Sequence, residues 1–155
     1  METNKSDNNV LQKVIEIEGE ITETIRKTNG CLTHFEYVFE NVGNNPTNIN
    51  VSYGSKTVLN ICVYTQNPNT KEIFLLKKVS TNNDKISGLE EILKYVKEHK
   101  KNNDSYSIHW SRKPSTHMNI SYFYCRDVYE ALEKFSYNKN KDDYTIYDVK
   151  MNPMS

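Results

Sequence analysis

Twice along this chain, two strand-like runs flank a Pro-x-Thr turn and lead into a helix with its own start signal. In the first unit, TVLNICVYT (Thr57–Thr65) and EIFLLKKV (Glu72–Val79) lie on either side of QNPNTK. Short runs of β-branched and aromatic residues bounded by Asn and Pro read as strands, and so short a connection makes them a hairpin. Ser87-Gly88-Leu89-Glu90 then reads as a capping box, in which the Ser oxygen accepts an orphan helical N–H and the Glu carboxylate reaches back to the cap. Leu89, Ile92, Leu93 and Val96 form one apolar stripe, and Lys97, Lys100 and Lys101 suit the negative end of the helix dipole.

The second unit repeats the plan. SYSIHWSR (Ser105–Arg112) and NISYFYC (Asn119–Cys125) flank KPSTH, and Asp127-Val128-Tyr129-Glu130 opens a helix with Asp in the capping role. Val128, Ala131, Leu132 and Phe135 line its buried face. Pro68 and Thr70 in the first turn match Pro114 and Thr116 in the second, a spacing consistent with internal duplication. NKNKDD reads as a loop and YTIYDVKM (Tyr144–Met151) as a last strand. The order is β-β-α-β-β-α-β. Without its first strand it is the split βαβ, or ferredoxin-like, arrangement. The expected fold class is α+β: an antiparallel sheet with two helices on one face.

Ahead of these units, residues 1–9 are polar and read as a disordered tail, leaving a single domain over residues 10–155. Val10, Val14, Ile17, Ile21 and Ile25 recur at helical spacing, with Asn29-Gly30 placed to end the helix in a left-handed cap. The same residues also allow a strand turning at Asn29-Gly30. The helix is preferred, because 18 unbroken residues exceed the usual strand of about 5–6. FEYVFENV (Phe35–Val42) alternates as a strand, and GNNPTNIN reads as a loop.

Composition narrows the function classes. Net charge is zero, which argues against a surface built wholly for nucleic acid or anionic lipid. Three widely spaced cysteines, Cys31, Cys62 and Cys125, suit reduced thiols in a cytoplasmic protein better than a disulfide framework or a zinc site. No secretory signal or membrane-length apolar run is visible. The 17 Lys, 20 Asn and 11 Tyr share AT-rich codons, so Lys and Tyr counts say little about binding; the single Trp and 3 Arg say more.

No catalytic motif, phosphate loop or calcium loop appears, so the expectation is a non-enzymatic protein with no cofactor and no metal. His109, His117 and Cys125 lie at one hairpin, but their spacing matches no metal signature. Alternation puts Ile108, Trp110, Phe123 and Cys125 on the face toward the helices. His109, Ser111, Lys113, Ile120, Tyr122 and Tyr124 fall on the other face, which the N-terminal helix and the FEYVF strand are expected to cover. Left open, that region supplies a candidate binding face of His109, Arg112, Lys113, Tyr122 and Tyr124. The expected role is a small interaction module that binds a protein partner, or itself, through a sheet face or strand edge. The alternative is single-stranded RNA binding through stacked aromatics, although NISYFYCR lacks the basic and glycine positions of the RNP pattern, and an enzyme of unknown class ranks third.

Overall fold

The computed structural model describes residues 3–43 and 56–152, so most of the GNNPTNIN segment lies outside the described residues. Helix α1 (Thr3–Asn29) is followed by β1 (Leu32–Val42), β2 (Lys56–Gln66), β3 (Ile73–Thr81) and α2 (Lys85–Asn102). Then come β4 (Asp104–Arg112), β5 (Asn119–Cys125), α3 (Val128–Ser136), a 3-10 turn at Lys141–Asp143 and β6 (Tyr144–Asn152). The α+β class and the order after Lys56 agree with the reading of the sequence.

The strands form two three-stranded antiparallel sheets rather than one: β1-β2-β3 and β5-β4-β6. In each, the first strand of a hairpin is central. β1 adds to β2 in the first sheet, and β6 adds to β4 in the second. The split βαβ pairing is therefore not made, because β3 pairs with β2 and β6 with β4. In both sheets a third strand adds to the first strand of the hairpin, but it precedes the hairpin in the first sheet and follows the helix in the second.

Each sheet has its own core. α1 and α2 cover the first through Val14, Ile17, Ile21, Ile25, Leu89, Ile92 and Val96, packed on Leu59, Ile61, Val63, Leu76 and Val79. α3 covers the second, with Ala131 and Phe135 against Tyr106, Ile108, Trp110, Phe123 and Cys125. The apolar face assigned to Ile108, Trp110, Phe123 and Cys125 is buried as expected. Phe74 of β3 belongs to this second core, meeting Phe123 at 5.2 Å and Phe135 at 5.4 Å between ring centroids.

Three local readings change. The tail expected to be disordered is helical from Thr3. A helix already nucleated by the buried stripe gains one hydrogen bond per added residue, so polar residues can continue it without tertiary contact. Gly30 supplies the left-handed stop, with φ of 66° and its N–H donating to the Arg26 carbonyl. The cap of α2 is Asp84, not Ser87: the Asp84 carboxylate accepts the Ser87 N–H at 3.0 Å. Gly88, read as part of a cap, instead lets α2 approach the sheet. A Cβ there would sit 2.6 Å from Ile61 Cδ1 and 2.8 Å from Thr81 Cγ2.

Urea midpoints check this packing. Phe135→Ala should cost about 3–5 kcal/mol, the usual penalty for emptying an aromatic core position. Gly88→Ala should cost about 1–3 kcal/mol by overpacking, whereas Asp84→Ala should cost about 1 kcal/mol by freeing a helix N–H. Ser87→Ala, which removes no cap, should leave the midpoint within error of wild type.

Candidate functional site

A cleft of about 270 Å³ opens between the two sheets. Phe74, Leu75 and Leu76 of β3 line one wall, and Ile120 to Tyr124 of β5 line the other. Both are edge strands, and among the described residues neither pairs with a strand on its cleft side. His99 and Lys100 of α2, Lys134 of α3, Thr65 and Asn67 at the end of β2, and Thr28 and Cys31 beside the end of α1 complete the lining.

The side chains at the base are held in place. His99 is 3% exposed; its ring stacks on Tyr95 at 5.2 Å and meets the edge of Tyr124 at 5.6 Å. Its Nδ1–H donates to the Val96 carbonyl at 3.1 Å, one helical turn back. Burial lowers the imidazole pKa, and the nearby Lys134 and Lys100 ammoniums lower it further against the opposing pull of the Val96 carbonyl. Lys134 donates to the Tyr95 hydroxyl at 2.7 Å and the Tyr124 carbonyl at 3.3 Å, with Glu130 at 3.4 Å. Burial acts to lower its pKa, but Tyr95, Cys125 and Glu130 more than offset that and the net direction is up. Lys100 donates to the Thr28 carbonyl at 2.8 Å and lies over the Tyr124 ring. The lining holds two lysines and no carboxylate.

This arrangement suits binding better than nucleophilic catalysis. Burial raises the Cys31 thiol pKa, and burial pushes Cys125 up to about 11, so both are protonated at neutral pH. His117 lies in the hairpin turn and Cys125 pairs with Asp104 at the far end of β5, so these two do not converge with His109. No group of three or more His, Cys, Asp or Glu side chains is placed to hold a metal among the described residues. No described helix is long and apolar enough to cross a membrane.

The five candidate residues separate. His109 and Tyr122 share the outer face of the second sheet; His109 Nδ1 bonds the Asp148 carboxylate, and Tyr122 is 66% exposed. Tyr124 turns into the cleft against His99. Arg112 lies on the opposite side, 3.7 Å from Glu72 and over the Tyr144 ring. Lys113 is exposed at the start of the turn. The expected cover is absent: α1 and β1 pack with α2 and β2, and leave the outer face bearing Tyr122 open. Their buried apolar residues serve the first core, where Val14, Ile17, Ile21 and Ile25 of α1 are buried and Phe35 and Tyr37 of β1 pack against them, while Leu11, Ile15 and Phe39 stay exposed. Sequence reasoning missed His99 and Lys134. His99 continues the Ile92/Val96 stripe by three residues, a signal that was present; Lys134 carried none beyond its (i, i+4) spacing from Glu130.

No family model, curated protein or solved structure matches the chain.

Because His99 holds its proton less tightly in the fold than in the unfolded chain, the unfolded chain binds more protons just below the free-imidazole pKa of about 6.5. The stability owed to the neutral ring is complete above that pH and is lost as pH falls through the lowered folded value. Wild type should therefore lose more urea resistance on mild acidification than His99→Gln. Parallel pH profiles for the two proteins would contradict the assignment.

Proposed function

We propose that the protein is a non-enzymatic interaction module that takes up an extended segment of a partner protein in the cleft between β3 and β5. The observation that carries this reading is that two unpaired strand edges face one cleft. An extended segment laid there gains main-chain hydrogen bonds from strand-edge groups other than the Ile73 and Tyr124 carbonyls, which Lys139 and Lys134 take, while side-chain pockets supply selectivity. Phe74, Leu76 and Phe123 offer the segment apolar contact, and Lys100 favours an acidic side chain on it. The volume of about 270 Å³ falls just below the range usual for small-molecule pockets, about 300–1,000 Å³, and suits a narrow insert.

The RNA alternative draws support from Tyr122 and Tyr147, both exposed on the second sheet. It lacks a cationic track: Lys150 pairs with Asp148 at 3.1 Å, and Arg112 points away toward Glu72.

The test uses Ile120→Lys, which puts a charge at an exposed cleft position outside both cores. Its stability should stay within about 0.5 kcal/mol of wild type, as for most surface changes. Wild type should capture a protein from nuclease-treated lysate of the source cells, Ile120→Lys should not, and β3 and β5 amides should gain hydrogen-exchange protection in the complex. Capture that survives Ile120→Lys would place the contact elsewhere. Saturable fluorescence-anisotropy binding of a mixed single-stranded RNA pool, lost in Tyr122→Ala, would transfer the reading to RNA.

A further inference from the structure

Among the described residues the two sheets leave four strand edges, and their charges differ in a way that matters for self-pairing. β1 carries Glu36 and Glu40, two like charges on one face. β3 carries Lys77 and Lys78, and Lys139 donates to its Ile73 carbonyl. β5 lines the cleft, with its Tyr124 carbonyl taken by Lys134. Lysines on an edge, and carbonyls already occupied, are ordinary defences against edge-to-edge association. β6 differs: its one lysine, Lys150, is paired with Asp148 on the same strand. It is nine residues long and free of proline, and it pairs only with β4 among the described residues.

Its pattern is also self-complementary. Asp148 and Lys150 lie two residues apart on the outer face, opposite His109 and Ser107 of β4. Their side chains meet at 3.1 Å; Lys150 is largely solvated, while Asp148, also bonded to His109, is half-exposed. The bulge in β6 lies before Asp148, so Asp148–Asn152 is regular strand. An antiparallel copy related by a two-fold axis at Val149 places Asp148 opposite Lys150 of the second copy, and Lys150 opposite its Asp148. Opposite charges directly across a strand pair attract, and a two-fold contact makes the attraction twice. On the helix side, exposed Met151 becomes a diagonal neighbour of the second copy's Val149. The same operation on β1, centred at Val38, sets Glu36 against Glu40.

We propose that the chain forms a two-fold homodimer by antiparallel pairing of β6 with β6 of a second copy, joining two three-stranded sheets into one of six. This deepens the edge-binding reading of the function but uses the edge remote from the cleft, so the two stand or fall separately.

Sedimentation velocity tests it. Wild type at low ionic strength should shift from monomer to dimer with rising concentration and return toward monomer in high salt, since exposed charge pairs are screened. Asp148→Lys and Lys150→Asp should each remain monomeric alone, because each sets like charges across the axis. Mixed in equal amounts, they should form a heterodimer, because the first variant then presents two bases across the axis to the two acids of the second. If Asp148→Lys loses its fold with the His109 contact, as circular dichroism would reveal, the comparison of Lys150→Arg, which should dimerise, with Lys150→Asp, which should not, decides instead. Ile120→Lys should dimerise as wild type does, which separates failure of this contact from failure of the cleft. A wild type monomeric at every concentration, single variants that dimerise as well as wild type, or a mixture without heterodimer would each overturn the proposal.

Discussion

One aromatic ring from the first sheet sits in the core of the second. Phe74 starts β3, yet its neighbours are Trp110, Phe123 and Phe135, at 6.4, 5.2 and 5.4 Å between centroids. The contacts with Trp110 and Phe123 are edge-to-face, an arrangement that holds orientation as well as buries area. With β3 fixed against α3 in this way, the sheets cannot drift apart, and the space left beside the ring becomes a cleft with defined walls. Lys139 reinforces the joint, lying over the Phe74 ring at 4.3 Å while donating to the Ile73 carbonyl.

The rest of the joint is polar, which is costly in a buried place unless every group is paired. Lys134 donates to Tyr95 and the Tyr124 carbonyl and ion-pairs with Glu130, so α2, α3 and β5 meet at one ammonium. His99 contributes a neutral ring among cations, stacked rather than ion-paired. The halves are thus joined by an aromatic plug on one side and a paired lysine on the other. The cleft between them exposes strand backbone where an ordinary sheet would have continued.

Four strand edges in a chain of this length create a risk of unwanted pairing that the sequence manages unevenly. Acids on β1, lysines on β3 and carbonyl-capping lysines around the cleft discourage random association. The alternating acid and base of β6 have the opposite effect, since they fit a copy of themselves.

Much of the fold was legible in the residues. The two hairpin-plus-helix units, the preference for helix over strand from Val10 through Lys27, and the burial of Trp110, Phe123 and Phe135 all follow from local periodicity, turn chemistry and capping, which act within a few residues. The partition into two sheets did not follow, because whether β6 pairs with β3 or β4 depends on edges far apart in sequence and leaves each strand's own pattern unchanged. For the same reason Arg112 could not be separated from Tyr122, nor His99 joined to Tyr124, before the chain was folded. Gly88 shows the limit most clearly: its sequence neighbours suggested a cap, while its role is set by Ile61 and Thr81, which approach it only in three dimensions. Sequence alone determined most strands, the two capped helices and which face of each is apolar, because those preferences are local; it left residues 10–28 open between helix and strand and did not show the helical turns from Thr3. The tertiary structure alone decided which edges are left unpaired and which of them face one another, because pairing is a contest among distant strands that only the packed cores resolve.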